Sequence, residues 1–141
     1  MLFAAGAFAL DGDNVSAKVA AAFKNDFSHA NKVKWEKKSD FYFVSFELNN
    51  TNVDAAYNEA GERVGISRKI KWEQLPLALS LEISKSYNDF STPEQVIELI
   101  FEGQTTYYLS VENDRQIVNL KCYSNGDTEV ESKTRKEPVK S

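Results

Sequence analysis

The 141-residue chain has one cysteine, one histidine, three prolines and six glycines. A single cysteine, Cys122, excludes an intramolecular disulfide and a thiolate metal site, and its expected role is that of a small buried apolar residue. A single histidine, His29, excludes a two-histidine zinc centre and a histidine-paired nucleophile with a ligand to spare. It follows the first helical stretch, so its expected place is beside that helix's terminal carbonyls. The glycines are scattered and form no phosphate loop, dinucleotide fingerprint or nucleophile elbow. Positive charge is also in deficit, with 17 Lys and Arg against 21 Asp and Glu. The net charge of −4 gives no field that would draw a nucleic-acid backbone or an anionic membrane. These absences point away from an enzyme: no catalytic residues, no cofactor and no metal are expected.

What is present is the composition of a folded domain: 42% hydrophobic, 12% aromatic and 27% charged residues. The chain starts MLFAAGAFAL. This short apolar run ends in Ala7-Phe8-Ala9, small residues at the spacing a signal peptidase accepts, although the basic residues that normally precede such a run are missing. Residues 1–10 are therefore expected to be the remnant of a secretory signal. The alternatives are a buried first strand or a frayed end, because the run is about half of the roughly 20 residues a membrane span needs.

From Val15 the apolar residues Val15, Val19, Ala22, Phe23 and Phe27 fall on one stripe of a helix, with Asp13, Asn14 or Ser16 to cap it. The period then changes to two. Val33 and Trp35, Phe41 to Leu48, Val53 to Tyr57 and Arg63 to Lys69 read as strands separated by polar turns. At Leu75-Pro76 the order begins again with Leu79, Ile83 and Tyr87 at helical spacing. Strands at Val96 to Glu102, Thr106 to Glu112, Ile117 to Tyr123 and Thr128 to Thr134 follow. The halves align at nearly constant offset, with Val33 on Val96, Tyr42 to Phe46 on Tyr107 to Val111, and Gly61 on Gly126. The expected fold is α+β: two tandem repeats, about 14–70 and 73–132, each with one helix packed on an antiparallel sheet of about four strands. Residues 133–141 read as a polar tail, and 11–132 as the domain.

Alternation assigns the functional surface. If Tyr42, Val44, Phe46 and Leu48 face the helix, then Phe41, Phe43, Ser45 and Glu47 face away from it. The second half presents Thr106, Tyr108, Ser110 and Glu112 in the same way. Aromatics among hydroxyls and carboxylates suit a protein-binding surface. The candidate contact residues are Trp35, Phe41, Phe43, Ser45, Glu47, Tyr108, Ser110 and Glu112. Coverage of this face by the other repeat or by a loop is the competing reading.

The residues Val19, Phe23, Phe27 and Val33-Lys-Trp35, then Tyr42-Phe-Val-Ser-Phe46, Tyr57 and Gly61, and the restart Leu75-Pro76, Ile83 and Tyr87 carry a resemblance. They resemble the PepSY-like, β-lactamase-inhibitor-protein-like domains of Bacteroidetes cell-envelope proteins, over about residues 15–132. The second half departs from the pattern, with Glu98 or Leu99 where the first has Trp35. The resemblance implies helices laid on antiparallel sheet, a free sheet face as the contact surface, and a periplasmic or surface location. The expected function is an exported, non-catalytic module binding a protein or peptide of the cell envelope. The alternative is a periplasmic carrier with an apolar pocket for a small ligand between helix and sheet.

Overall fold

In a computed structural model of the chain, residues 8–10 and 14–137 are described. Nine strands and two α-helices follow in order: β1 (Phe8–Leu10), α1 (Ala17–Asp26), β2 (Asn31–Lys38), β3 (Phe41–Leu48), β4 (Thr51–Asn58) and β5 (Arg63–Ile70), then α2 (Leu77–Ser86), β6 (Val96–Phe101), β7 (Gln104–Glu112), β8 (Gln116–Tyr123) and β9 (Thr128–Arg135). A short 3-10 turn, Trp72–Gln74, leads into α2. Most of the segment read as a leader lies outside the described residues. Its last part, Phe8–Leu10, pairs with β2, placing Leu10 opposite Trp35. β9 extends to Arg135, one residue past the strand expected to end at Thr134.

The expectation of two helix-plus-four-strand repeats is corrected by the strand order. All nine strands belong to one antiparallel sheet, ordered β1 to β9, with two helices of only 10 residues each. Side-chain alternation reports which face of a strand is buried. It carries no information on whether a strand's edge is hydrogen-bonded to the next strand or left free, and that decides where one sheet ends. The described residues form two compact units, the first those up to Arg68 with Ile100–Glu102, the second Lys69–Leu99 with those from Gly103 onward.

In the first unit Ser16 caps α1, its Oγ accepting from the Val19 N–H at 3.3 Å. α1 buries Val19 and Phe23 against β2 to β4, and the space beneath it is filled with rings. Phe23 meets Trp35 edge-on at 5.2 Å and Phe46 edge-on at 5.1 Å, and Phe27 lies 4.6 Å from Phe46. Such ring pairs add about 0.5–1.5 kcal/mol each beyond the area they bury. The end of α1 is clasped by polar groups. The buried Tyr57 hydroxyl donates to Asp26 Oδ2 at 2.8 Å, Arg63 Nη1 lies 3.3 Å from the same oxygen, and the Arg63 guanidinium sits over Phe27 at 5.5 Å. The β3–β4 hairpin turns on Asn49 and Asn50, both at positive φ, a conformation asparagine tolerates better than most residues.

In the second unit α2 starts after Pro76 and buries Leu79 and Ile83. Its core is mainly aliphatic: Val96, Leu109, Val111, Val118 and Leu120, with the fully buried Cys122. The β8–β9 turn needs its glycine. Gly126 has φ of +100°, and a Cβ there would come within 3.3 Å of the Ala78 carbonyl of α2. His29 is exposed, and no hydrogen bond joins it to the end of α1 among the described residues. No helix among the described residues is long and apolar enough to cross a membrane.

Candidate functional site

The candidate residues lie on β2 and β3 of the first unit and on β7 of the second. On β3 of the first unit, Tyr42, Val44 and Phe46 are buried beneath α1, so Phe41, Phe43, Ser45 and Glu47 lie on the opposite face. Phe41 is 40% exposed and its ring centroid is 6.5 Å from that of Phe43. Phe43 is registered against Ala56 of β4, and Ala56 against Gly65 of β5. On its other side Phe43 is registered against Glu36 of β2. Ser45 Oγ donates to Asp54 Oδ1 at 2.5 Å, and Glu47 pairs with Lys32 at 3.4 Å. This Ser45–Asp54 bond ties β3 to β4 across the outward face.

Trp35 does not belong to this patch. It pairs with Val44, shares the helix-facing side, and is 8% exposed behind Phe23. Its placement follows from register: Trp35 stands opposite a buried position of β3, and directly opposed residues of an antiparallel pair point to the same face. Reading β2 alone, without its partner strand, could not settle that parity.

On β7 of the second unit, Tyr107, Leu109 and Val111 are buried in the core with α2, and Tyr108, Ser110 and Glu112 face away from it. Thr106, expected on the same open face, is buried. Ser110 Oγ donates to Asn119 Oδ1, and Asn119 Nδ2 donates to Ser132 Oγ at 2.7 Å, a polar chain across three strands. Glu112 pairs with Lys136 at 2.7 Å, and its carbonyl accepts from the Ser91 N–H at 2.7 Å. Tyr108 stands opposite Lys121 of β8, whose ammonium is raised above its ordinary pKa by Tyr108 first and Tyr123 next.

Several residues of these faces escaped the sequence reading. Lys121 and Tyr123 alternate with the buried Val118, Leu120 and Cys122 along β8, and that alternation was available as a signal. Asp54 and Ala56 become part of the first patch only through pairing with β3. Among the described residues no group of three His, Cys, Asp or Glu side chains could hold a metal ion.

No family model matches the sequence, and no curated protein matches it. Solved structures do match. A candidate periplasmic protein of Bacteroides eggerthii superposes with a TM-score of 0.70 at 17% identity, over 86% of this chain and 88% of that one. A DUF2874 family protein of Bacteroides ovatus gives 0.70 at 19% identity over 88% and 89%. A BLIP-like protein of Bacteroides fragilis gives 0.66 at 19% identity over 85% of each chain. The chain thus shares the BLIP-like fold of Bacteroides proteins, the fold to which its aromatic and apolar pattern pointed.

Proposed function

We propose that the protein is an exported, non-catalytic binding module that holds a protein or peptide on the face of the sheet opposite α1. The observation that carries this reading is the pair Phe41 and Phe43, two neighbouring rings on the side of β3 turned away from the helix, beside Ala56. Large aromatic side chains in such positions cost little entropy to order and account for much of the energy at interfaces. Export is supported by the periplasmic description carried by a structure of the same fold. A non-catalytic role is supported by His29, the one histidine of the sequence, which is exposed and makes no hydrogen bond among the described residues. An inhibitor-like action has as its support the BLIP-like description of another neighbour. The competing carrier function gains no support in the first unit, where rings 4.6 to 5.7 Å apart occupy the space between α1 and the sheet.

Site-directed photo-cross-linking in the native cell envelope tests this. A benzophenone side chain at position 41 or 43 is expected to yield a discrete adduct that the exposed Lys24 position on α1 does not. Truncation of the neighbouring anchor, Phe43→Ala for the probe at 41, should weaken capture by about tenfold or more, as for a residue worth over about 1.4 kcal/mol. Identical adducts from positions 24, 41 and 43 would reject the sheet face as the contact surface.

A further inference from the structure

The face of the second unit opposite α2 differs chemically from the Phe41–Phe43 patch. Strand registers align its outward residues in rows, Tyr108 with Lys121 and Glu129, and Ser110 with Asn119 and Ser132. Tyr123 lies beyond the first row, its hydroxyl donating to Glu129 Oε1 at 3.2 Å and Lys121 Nζ standing 5.9 Å from its ring centroid. There the face opens into a cleft of about 890 Å³, with Tyr123, Gln104, Thr105, Asn125, Asp127 and Glu129 in its lining. The volume is in the range of small-ligand sites, but such sites are usually walled by apolar side chains.

The lining chemistry narrows the ligand. Two carboxylates, Asp127 and Glu129, disfavour an anion, and the scarcity of apolar wall disfavours a lipid or an aliphatic acid. What remains is a dense set of amide, hydroxyl and carboxylate groups around one aromatic ring. That combination matches a sugar, whose hydroxyls both donate and accept and whose axial C–H groups form an apolar patch of about ring size. Amides and carboxylates provide complementary donors and acceptors, a carboxylate alone offering about four lone-pair sites. The groups are held in advance of binding. Asn125 Oδ1 accepts from the Asp127 N–H at 3.0 Å while its Nδ2 donates to Asp127 Oδ2 at 3.0 Å, so the turn's side chains need little further ordering.

We propose that this cleft binds a neutral glycan, with Tyr123 as the stacking platform and Gln104, Asn125, Asp127 and Glu129 as hydroxyl partners. This does not rest on the protein-binding reading, whose residues belong to the first unit. Electrophoresis of the whole chain through gels containing dextran, mannan, xyloglucan, soluble starch or, as the anionic control, polygalacturonate is the test. At least one neutral polysaccharide is expected to retard the wild type. Tyr123→Ala should weaken that retardation tenfold or more, and Phe43→Ala should leave it unchanged. Gln104→Ala, at an exposed strand end, should weaken it about threefold and decides the matter if Tyr123→Ala does not fold. Retardation by none of the neutral polymers, retardation by polygalacturonate only, or equal retardation of the wild type and the cleft variants would overturn the proposal.

Discussion

The two units place a 10-residue helix over antiparallel strands and fill the space beneath it by different means. Under α1 the filling is aromatic, with Phe23, Phe27, Trp35, Phe46 and Tyr57, and a polar clasp of Tyr57, Asp26 and Arg63 holds the helix end. Under α2 it is mainly Leu79, Ile83 and branched aliphatics from the strands, joined by Tyr107 of β7 and the fully buried thiol of Cys122 on β8, with Trp72, Tyr87 and Phe90 at its border. The helices' outer sides differ as well. α1 exposes Lys18, Ala21 and Lys24, whereas α2 exposes Leu77 at 72% and Leu81 at 60%. A helix on a sheet thus constrains which positions are buried far more tightly than which residues fill them, provided total volume is conserved.

The largest effects should come from emptying either core. Phe23→Ala removes the ring that touches Phe27, Trp35 and Phe46, and is expected to cost about 3–5 kcal/mol. Leu79→Ala, at a fully buried aliphatic site, is expected to cost about 2–5 kcal/mol. Urea unfolding measures both, and a loss below about 1 kcal/mol at Phe23 would mean that the aromatic cluster does not hold α1 in place.

Alkaline pH separates the units chemically. Burial pushes the Cys122 thiol from 9.0 up to about 12. Burial, and then the hydrogen bond to Asp26, holds the Tyr57 hydroxyl above its ordinary 10.0. Both groups stay neutral in the folded chain after the unfolded chain has lost their protons. Their contribution is therefore complete below the unfolded values and declines as pH rises, from about 9 to about 12 for Cys122 and from about 10 upward for Tyr57. Cys122→Ala should remove the part of the decline that starts near pH 9, at most about 1.4 kcal/mol per pH unit. Tyr57→Phe should flatten only the part above about pH 10. Urea midpoints followed between about pH 8 and pH 11 distinguish the two, and superimposable wild-type and Cys122→Ala curves would refute the thiol's part.

The smallest effect belongs to the outer side of α2. Replacing Leu77 and Leu81 together by Gln removes exposed apolar surface and breaks no buried contact, so stability should move by less than about 0.5 kcal/mol per site. A larger loss in thermal unfolding would show that these leucines are covered in solution, unlike their counterparts on α1.

Local periodicity located the elements well because burial imposes it directly. Val19 and Phe23 on one stripe of α1, and Tyr42, Val44 and Phe46 on one side of β3, could be read from spacing alone. The outward placement of Phe41 and Phe43 follows from the same alternation. Trp35 was not legible in this way, since β2 carries charge on both sides and only pairing with Val44 assigns its face. The Tyr123 cleft was hidden for a related reason: Gln104 and Asn125 come together with Tyr123 only when two turns distant in the chain meet.

Side-chain pattern and turn chemistry settled which segments are helix or strand and which side of β3 is buried, and composition set the count of one cysteine and one histidine. These are local or compositional properties, and every residue carries its share of them. Backbone hydrogen bonding between strands settled the rest: that all nine strands belong to one sheet, that Trp35 lies behind Phe23, and that the polar residues of β7, β8 and β9 stand in rows. Every strand edge bears the same N–H and C=O groups whatever its side chains, so which edges meet is decided by the folded chain as a whole.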